Sequence, residues 1–303
     1  MRIISSIVLF FLIFSLNVFA KVNVITTIKP LADIFKEIGK DKVNVSYIIP
    51  PNISFHLYEY KISDIKKISN ADIFVYLGSG EPNVNSLLKV VNGKVINAGS
   101  LIPENLLITK VEFDEDNHSN HKEEHQYHHH HHTETFHPAL WLDPRLAILI
   151  ADRYYKTLIE IDPKNKDYYY KNYSDFTLKT VNLYTKWKIK FNSLKNKYFI
   201  SYHYLYPYLT RAFSLEYLAV IELGHGREPT IKHILHITNL VKEKNIKYIF
   251  VSKQFYNPRY LALEKKAGIK VIYLDPIGLN KSYLEMMNWL LKSIYRGLSK
   301  DGK

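Results

Sequence analysis

The stretch KVNVITTIKPLADIFKEIGKDKVNVSYIIPP, residues 21–51, decides the fold class of this chain. Residues 22–26 and 43–49 have the β-branched, partly alternating pattern of strands, and residues 31–38 have the apolar spacing of an amphipathic helix. A glycine ends that helix, and a Pro-Pro pair ends the second strand. A strand, a helix and a strand in this order predict a parallel βαβ unit.

The same alternation continues on both sides of one long helical segment. It covers residues 62–96, beginning with a helix at 62–69, and it returns over residues 198–298. There it includes strands at 198–202, 215–221, 248–252 and 271–273 and a helix at 258–267. Between these two regions, neither glycine nor proline occurs from Lys164 to Tyr206. Large side chains recur there at spacings of four and three: Tyr169, Tyr173, Phe176, Thr180, Tyr184, Trp187, Phe191 and Leu194. A helix of about thirty residues spans roughly 45 Å. We therefore expect an α/β protein of two lobes, each a parallel sheet flanked by helices, joined by one long helix.

The first twenty residues have the composition of a cleaved signal peptide. MRIISSIVLFFLIFSLNVFA has one basic residue, an unbroken apolar run over residues 7–14 and a Val-Phe-Ala end. The alternative is an uncleaved membrane anchor, but the run is shorter than the roughly 20 residues that a span needs. The chain contains no cysteine, so disulfides, thiolate ligands and a lipid-bearing cysteine are excluded. We expect a periplasmic protein whose mature form begins near Lys21.

These patterns divide the chain into four segments. They are a signal peptide at 1–20, an N-terminal α/β lobe at 21–163, a linking helix at 164–194 and a C-terminal α/β lobe at 195–303. The formal net charge is +12, but the lysines are spread along the chain and mixed with acidic residues. Nucleic-acid binding requires a basic stripe on one face, so we exclude it.

Nine of the fourteen histidines fall within residues 111–144, VEFDEDNHSNHKEEHQYHHHHHTETFHPALWLDP. Imidazole is the commonest metal ligand in proteins and suits zinc, copper and nickel. Residues 114–136 contain too few apolar side chains to pack, so they predict a loop that collects ions without selecting among them. A solvated polar linker is the alternative. The possible auxiliary ligands in this loop are His118, His121, His125, His128, His129, His130, His131 and His132.

Selective binding requires ligands on the folded lobes, and candidates stand where predicted strands end. His56, His203 and Asp275 each follow a predicted strand, and His137 lies at the far end of the His-rich loop. Three imidazoles and one carboxylate would complete a tetrahedral zinc shell. Each residue taken singly is equally typical of a capping or core histidine, or of a turn-forming aspartate. His225, between two glycines, is a spare candidate.

Three segments resemble the substrate-binding proteins of zinc and manganese ABC importers, the cluster A-I metal-binding family. VSYIIPPNISFHLYEYKISDIKKISNADIFVYLGSGE, residues 45–81, is similar to the signature of their N-terminal lobe, with His-x-Tyr followed by Ala-Asp and a glycine-rich turn before glutamate. SYHYLYPYLTRAF, residues 201–213, and IFVSKQFYNPRYLALEKKAGIKVIYLDPIG, residues 249–278, are similar to elements of their C-terminal lobe. The resemblance covers nearly the whole chain after residue 20 and keeps the family's order.

This resemblance implies two α/β lobes joined by a rigid helix, with the metal between them and His56, His203 and Asp275 among its ligands. Zinc-binding members have histidine where His203 stands, and manganese-binding members have glutamate. Softer nitrogen ligands favour zinc. We therefore expect a monomeric periplasmic protein that binds Zn²⁺ as its transported ligand and delivers it to the membrane permease of an ABC importer for high-affinity zinc uptake.

The sequence departs from the family at one ligand. The family's second ligand is the histidine of Pro-His-x-Trp-Leu-Asp-Pro, and the matching residues 138–144 have Ala139 in its place. If the segment is extended, residues 137 and 139 share a face about 6.5 Å apart. His137 is therefore the predicted replacement, with a histidine from 128–132 or water as the alternatives.

Other functions remain open to different degrees. The sequence contains no His-Glu-x-x-His, no Gly-x-Ser-x-Gly and no phosphate-binding loop, which argues against an enzyme. A manganese importer component and a periplasmic zinc buffer or adhesin are the remaining alternatives.

Overall fold

The computed structural model describes residues 21–109, 135–222, 229–252, 254 and 268–301. Several predictions fall outside these residues. They are the signal peptide, the eight histidines of the His-rich loop, His225 and the helix at 258–267.

The N-terminal lobe is a four-stranded parallel sheet with helices between its strands. The strands are β1 (Val22–Thr26), β2 (Val43–Tyr47), β3 (Ile73–Tyr76) and β4 (Lys94–Asn97), in the spatial order β2-β1-β3-β4. The helices are α1 (Lys29–Gly39), α2 (Ile62–Ser69) and α3 (Val84–Leu88). The quoted stretch therefore forms the predicted βαβ unit, because β1 and β2 pair directly with α1 between them in the chain.

One long helix lies between the two sheets, and a shorter helix precedes it in the chain. Helix α4 (Pro144–Ile161) begins at Asp143, whose carboxylate accepts the backbone N–H of Arg145 at 2.9 Å, and it ends before Pro163. Helix α5 (Lys166–Asn192) has 27 residues, close to the predicted length. Its buried residues come from the predicted stripe: Tyr169, Phe176, Thr180, Trp187 and Phe191.

The C-terminal lobe repeats the architecture of the first. Its strands β5 (Tyr198–Ser201), β6 (Glu216–Val220), β7 (Tyr248–Ser252) and β8 (Lys270–Leu274) form a parallel sheet in the order β6-β5-β7-β8. The described helices of this lobe are α6 (Pro207–Phe213), α7 (Ile231–Glu243) and α8 (Tyr283–Asp301). Within the described ranges, no helix combines the length and the apolar character that crossing a bilayer demands. The predicted fold class is confirmed.

Helix α5 contacts both lobes, and one hydrophobic core runs through them. The helix packs against α1 and α4 on one side and against α6 and α8 on the other. The larger buried cluster includes Phe35 of the N-terminal lobe, Phe176 of α5 and Leu290 of α8. A smaller cluster lies between the second sheet and α7, and it includes Ile237 and Val251.

Trp141 lies where the two lobes meet, and it is completely buried. Its indole Nε1–H donates to the carbonyl oxygen of Pro276 at 2.8 Å. The hydroxyl of Tyr283 donates in return to the carbonyl oxygen of Trp141 at 2.9 Å. Both bonds are buried, so each would leave an unpaired polar group if its partner were removed.

We expect Trp141→Phe to lower the free energy of unfolding by about 2–4 kcal/mol, because it opens a cavity and leaves the Pro276 carbonyl without its donor. Urea denaturation followed by circular dichroism measures this loss. Trp289→Phe, at a partly exposed position of α8, is the matched control and should change the stability much less. Equal losses in the two variants would contradict the role given to Trp141.

Candidate metal site at the carboxyl edges of the two sheets

The carboxyl edge of the second sheet carries a row of polar side chains. Because the strand order is β6-β5-β7-β8, the residues that follow these strands lie along the edge in the order Glu222, His203, Gln254 and Asp275. Neighbours at each end of the row are hydrogen-bonded, Glu222 to His203 and Gln254 to Asp275. Ligands of open α/β sheets bind outside this edge.

His203 is fixed through both its backbone and its ring. Its carbonyl oxygen accepts the hydroxyl of Ser201 at 2.6 Å and the hydroxyl of Tyr217 at 3.0 Å. Its Nδ1–H donates to the Glu222 carboxylate, and both side chains are largely buried. A proton held on Nδ1 leaves Nε2 as the nitrogen whose lone pair can coordinate a metal.

Asp275 directly follows β8 and is buried, with three donors on its carboxylate. Oδ1 accepts the backbone N–H of Gly278 at 2.9 Å and the Nε2–H of Gln254 at 2.6 Å. Oδ2 accepts the backbone N–H of Leu279 at 2.9 Å. A carboxylate has about four acceptor positions, so a position on Oδ2 remains for a metal.

His56 belongs to the N-terminal lobe and lies in a short 3-10 turn, Phe55–Leu57, rather than at the end of β2 itself. Its Nδ1–H donates to the carbonyl oxygen of Gly80 at 3.0 Å, and its ring packs on Phe55 with centroids 4.1 Å apart. Gly80 belongs to the glycine turn that follows β3 and has φ +73°. This hydrogen bond again assigns Nε2 as the coordinating nitrogen.

Glu81, next to that glycine turn, is a buried carboxyl group. It accepts the backbone N–H of Leu77 at 2.9 Å and of Gly78 at 3.0 Å. Burial raises the pKa of Glu81 to about 7, against these hydrogen bonds, which lower it. The side chain therefore braces the turn whose Gly80 carbonyl orients His56.

His137, which precedes the Trp141 segment, contacts the C-terminal lobe. Its Nε2–H donates to the carbonyl oxygen of Tyr204 at 2.9 Å, and its Nδ1 accepts the backbone N–H of Ala139 at 3.3 Å. The ring packs edge-on against Tyr204 and Tyr208, with centroids 5.2 and 5.8 Å away. Burial lowers the pKa of His137 to about 4. The imidazole is therefore neutral at physiological pH, and both its nitrogens are hydrogen-bonded to backbone.

The expectation of an extended segment at 137–139 is wrong. Ala139 has φ −76° and ψ 46°, and the chain continues directly into a 3-10 turn at Leu140–Leu142. The two-residue strand period therefore does not apply here, and it does not place His137 on the face of Ala139. Ala139 itself is completely buried.

The structure does not assemble the four candidate ligands into a coordination shell. Across the residues with described positions, no group of three or more His, Cys, Asp or Glu side chains is arranged to hold an ion. His56, His137, His203 and Asp275 each make hydrogen bonds to the protein instead. The ligand set remains a prediction.

Sequence reasoning missed Glu222 and Gln254, the partners of two candidate ligands. Each follows a strand that was predicted, and that position was the available signal. The spatial order of the strands was not predicted, and only that order shows that Glu222 lies beside His203.

Comparison with known proteins gives consistent matches over both lobes. The family model for ZnuA, described as the periplasmic component A of the zinc-uptake complex, matches residues 24–297. The ZnuA protein of a high-affinity zinc uptake system in Bacillus subtilis is 28% identical, with 86% of this chain and 80% of that protein covered. The zinc-binding lipoprotein AdcA of Streptococcus pneumoniae is 27% identical, and the alignment covers 93% of this chain but only 57% of AdcA. A crystal structure of ZnuA superposes with a TM-score of 0.78 at 25% identity, covering 92% of this chain and all of that one.

The raised pKa of Glu81 predicts a pH-dependent stability. Because the folded-state pKa is about 7 and an ordinary glutamate titrates near 4.3, the folded state holds the proton more tightly. Wild-type stability is therefore fully present below pH 4.3 and is lost as the pH rises through 7. Glu81→Gln should remove this loss. Its free energy of unfolding should therefore rise by roughly 3 kcal/mol relative to that of the wild type between pH 4.5 and pH 7.5.

Urea denaturation at several pH values tests the Glu81 prediction. Glu104→Gln, at an exposed position of the same lobe, is the control and should follow the wild type at every pH. A stability difference between Glu81→Gln and the wild type that does not vary with pH would contradict the assignment.

Proposed function

The chain belongs to the ZnuA family, the periplasmic component A of zinc-uptake complexes, and on that premise we propose that it captures Zn²⁺ between its lobes and delivers it to the permease of an ABC importer. The observation that carries this proposal is the family match over residues 24–297, a range that includes strands of both sheets and the helix between them. In this role the protein binds and transfers an ion without catalysing a reaction.

We propose His56, His203 and Asp275 as ligands in the cleft. Hydrogen bonds from Nδ1 of both histidines leave Nε2 as the coordinating atom, and Asp275 retains an acceptor position. Two imidazole nitrogens and one carboxylate oxygen favour zinc over manganese, which prefers oxygen ligands. Because these side chains do not yet form a shell, the ion has to draw them together on binding.

His137 is the proposed fourth ligand. Coordination through Nε2 would require the ring to release the Tyr204 carbonyl, at a loss of about 1 kcal/mol for one hydrogen bond. Structural zinc sites gain about 10–16 kcal/mol from the metal, so this exchange is energetically feasible. The ring already lies beside Tyr204, the neighbour of His203 in the chain.

The remaining parts of the proposal concern processing and the His-rich loop. Residues 1–20 act as a cleaved signal peptide, and the mature protein works in the periplasm as a monomer. The N-terminal lobe at 21–163, the linking helix at 164–194 and the C-terminal lobe at 195–303 are its working parts. The loop at 114–136 collects additional ions through its eight histidines, at lower affinity than the cleft.

We expect His203→Ala and Asp275→Ala each to weaken zinc binding about 100- to 1,000-fold, because one of four ligands supplies roughly a quarter of about 10–16 kcal/mol. Isothermal titration calorimetry on the full chain measures this. His236→Ala, at an exposed position of α7, is the control and should bind like the wild type. His203→Glu should move the preference toward manganese. Unchanged affinity in both alanine variants would refute the cleft assignment.

The role of His137 can be separated from its packing. His137→Gln keeps a donor for the Tyr204 carbonyl but loses the imidazole ligand, whereas His137→Ala loses both. If His137 coordinates zinc, both variants should lose affinity about equally, by about 100- to 1,000-fold. Full affinity in His137→Gln, together with a loss on deletion of residues 115–134, would show that a loop histidine supplies the ligand instead.

A further inference from the structure

Glu222 stands at the end of β6, directly beside His203. Strands β5 and β6 are parallel, with Ser201 paired with Val220. The ladder continues past the strands, because Ile221 donates its N–H to Ser201 at 3.0 Å and Glu222 donates its N–H to Tyr202 at 2.9 Å. The backbone register therefore places the Glu222 side chain next to the ring of His203.

We propose that Glu222 is the positioning residue of the zinc site: its carboxylate accepts the Nδ1–H of His203, which fixes the tautomer and aims Nε2 into the cleft. This inference rests on the proposed function, since it assigns His203 as a ligand. A carboxylate behind a coordinating histidine also makes the imidazole a stronger donor, and losing such a partner typically weakens metal binding about 10–100-fold.

The geometry makes Glu222 a partner of the ligand and not a ligand itself. Its carboxylate contacts Nδ1, and in an imidazole ring Nδ1 and Nε2 point in directions well apart. The ion that binds Nε2 therefore lies on the side of the ring away from Glu222. Because Ser201 and Tyr217 hold the His203 backbone, the Glu222 bond sets the remaining freedom of the ring.

Charge balance supports the same assignment. Zn²⁺ carries two positive charges, and the proposed ligands contribute one carboxylate, Asp275, beside neutral imidazoles. Burying an uncompensated charge is unfavourable. Glu222, which is largely buried and bonded to the opposite nitrogen of the His203 ring, would supply the second negative charge.

The test uses three variants of the full chain, with zinc affinity from calorimetry. Glu222→Ala should weaken zinc binding about 10–100-fold. Glu222→Gln keeps an acceptor oxygen for Nδ1–H but lacks the charge, so its zinc affinity should lie between those of Glu222→Ala and the wild type. Glu216→Ala, at an exposed position on β6, is the matched control and should bind like the wild type. Affinity of Glu222→Ala within twofold of this control would overturn the proposal.

A double-mutant cycle with His203→Ala distinguishes positioning from direct coordination. If Glu222 acts through His203, adding Glu222→Ala to His203→Ala should cause no further loss of zinc affinity. Fully additive losses would overturn the proposal, because Glu222 would then act independently of His203. If His203→Ala alone binds zinc like the wild type, the ligand assignment under the proposed function fails, which is a separate outcome.

Cobalt spectroscopy measures the coordination of the bound ion, which would not change if Glu222 only stabilised the fold. Co²⁺ substituted for zinc reports its own coordination through visible absorption. Glu222→Gln should keep the coordination geometry of the wild type with weaker binding. A changed number of protein ligands in that variant would overturn the proposal. Thermal unfolding of the metal-free variants checks that each is folded.

Discussion

The buried pair of hydrogen bonds around Trp141 is the constraint on which the rest of the structure depends. The indole of Trp141 holds the Pro276 carbonyl, and the Trp141 carbonyl receives the hydroxyl of Tyr283. Pro276 follows Asp275 directly, so the segment that carries this candidate ligand is fastened to the N-terminal lobe. His137 makes a corresponding link to Tyr204, beside His203. The polar residues of the second lobe thus keep a defined position relative to the first.

In each parallel sheet, the candidate ligands and their hydrogen-bond partners lie along the carboxyl edge. Each strand end contributes one side chain, and the strand order decides which of these become neighbours. In the C-terminal lobe this order pairs a proposed ligand with a partner at both ends of the row: His203 with Glu222 and Asp275 with Gln254. In the N-terminal lobe, the backbone carbonyl of Gly80 accepts the Nδ1–H of His56, as Glu222 does for His203. The two lobes therefore orient their histidines by different means, one charged and one neutral.

Most of the fold could be predicted from the sequence because its signals are local. The strands at Val22–Thr26 and Tyr248–Ser252 and the helix at Ile62–Ser69 have the predicted bounds, since apolar periodicity and breaker residues lie within each segment. The surroundings of the candidate ligands could not be predicted in the same way. The partner of His203 depends on which strand lies beside β5, and the hydrogen bonds of His137 depend on a carbonyl from the other lobe. The 3-10 turn at Leu140–Leu142, whose three residues are buried, was likewise not among the predicted elements.

The core that runs through both lobes has a consequence for cooperativity. Helix α5 packs on elements of each lobe, and its buried face belongs to the same cluster as Phe35 and Leu290. Neither lobe can lose this contact surface without exposing apolar side chains of the other, so we expect the main body to unfold as one cooperative unit despite its two sheets. Among the residues whose positions are described, the smaller cluster under α7 is separate from that body. Because this smaller cluster buries less apolar surface than the main body, we expect the outer face of the second sheet to open before the rest of the protein unfolds.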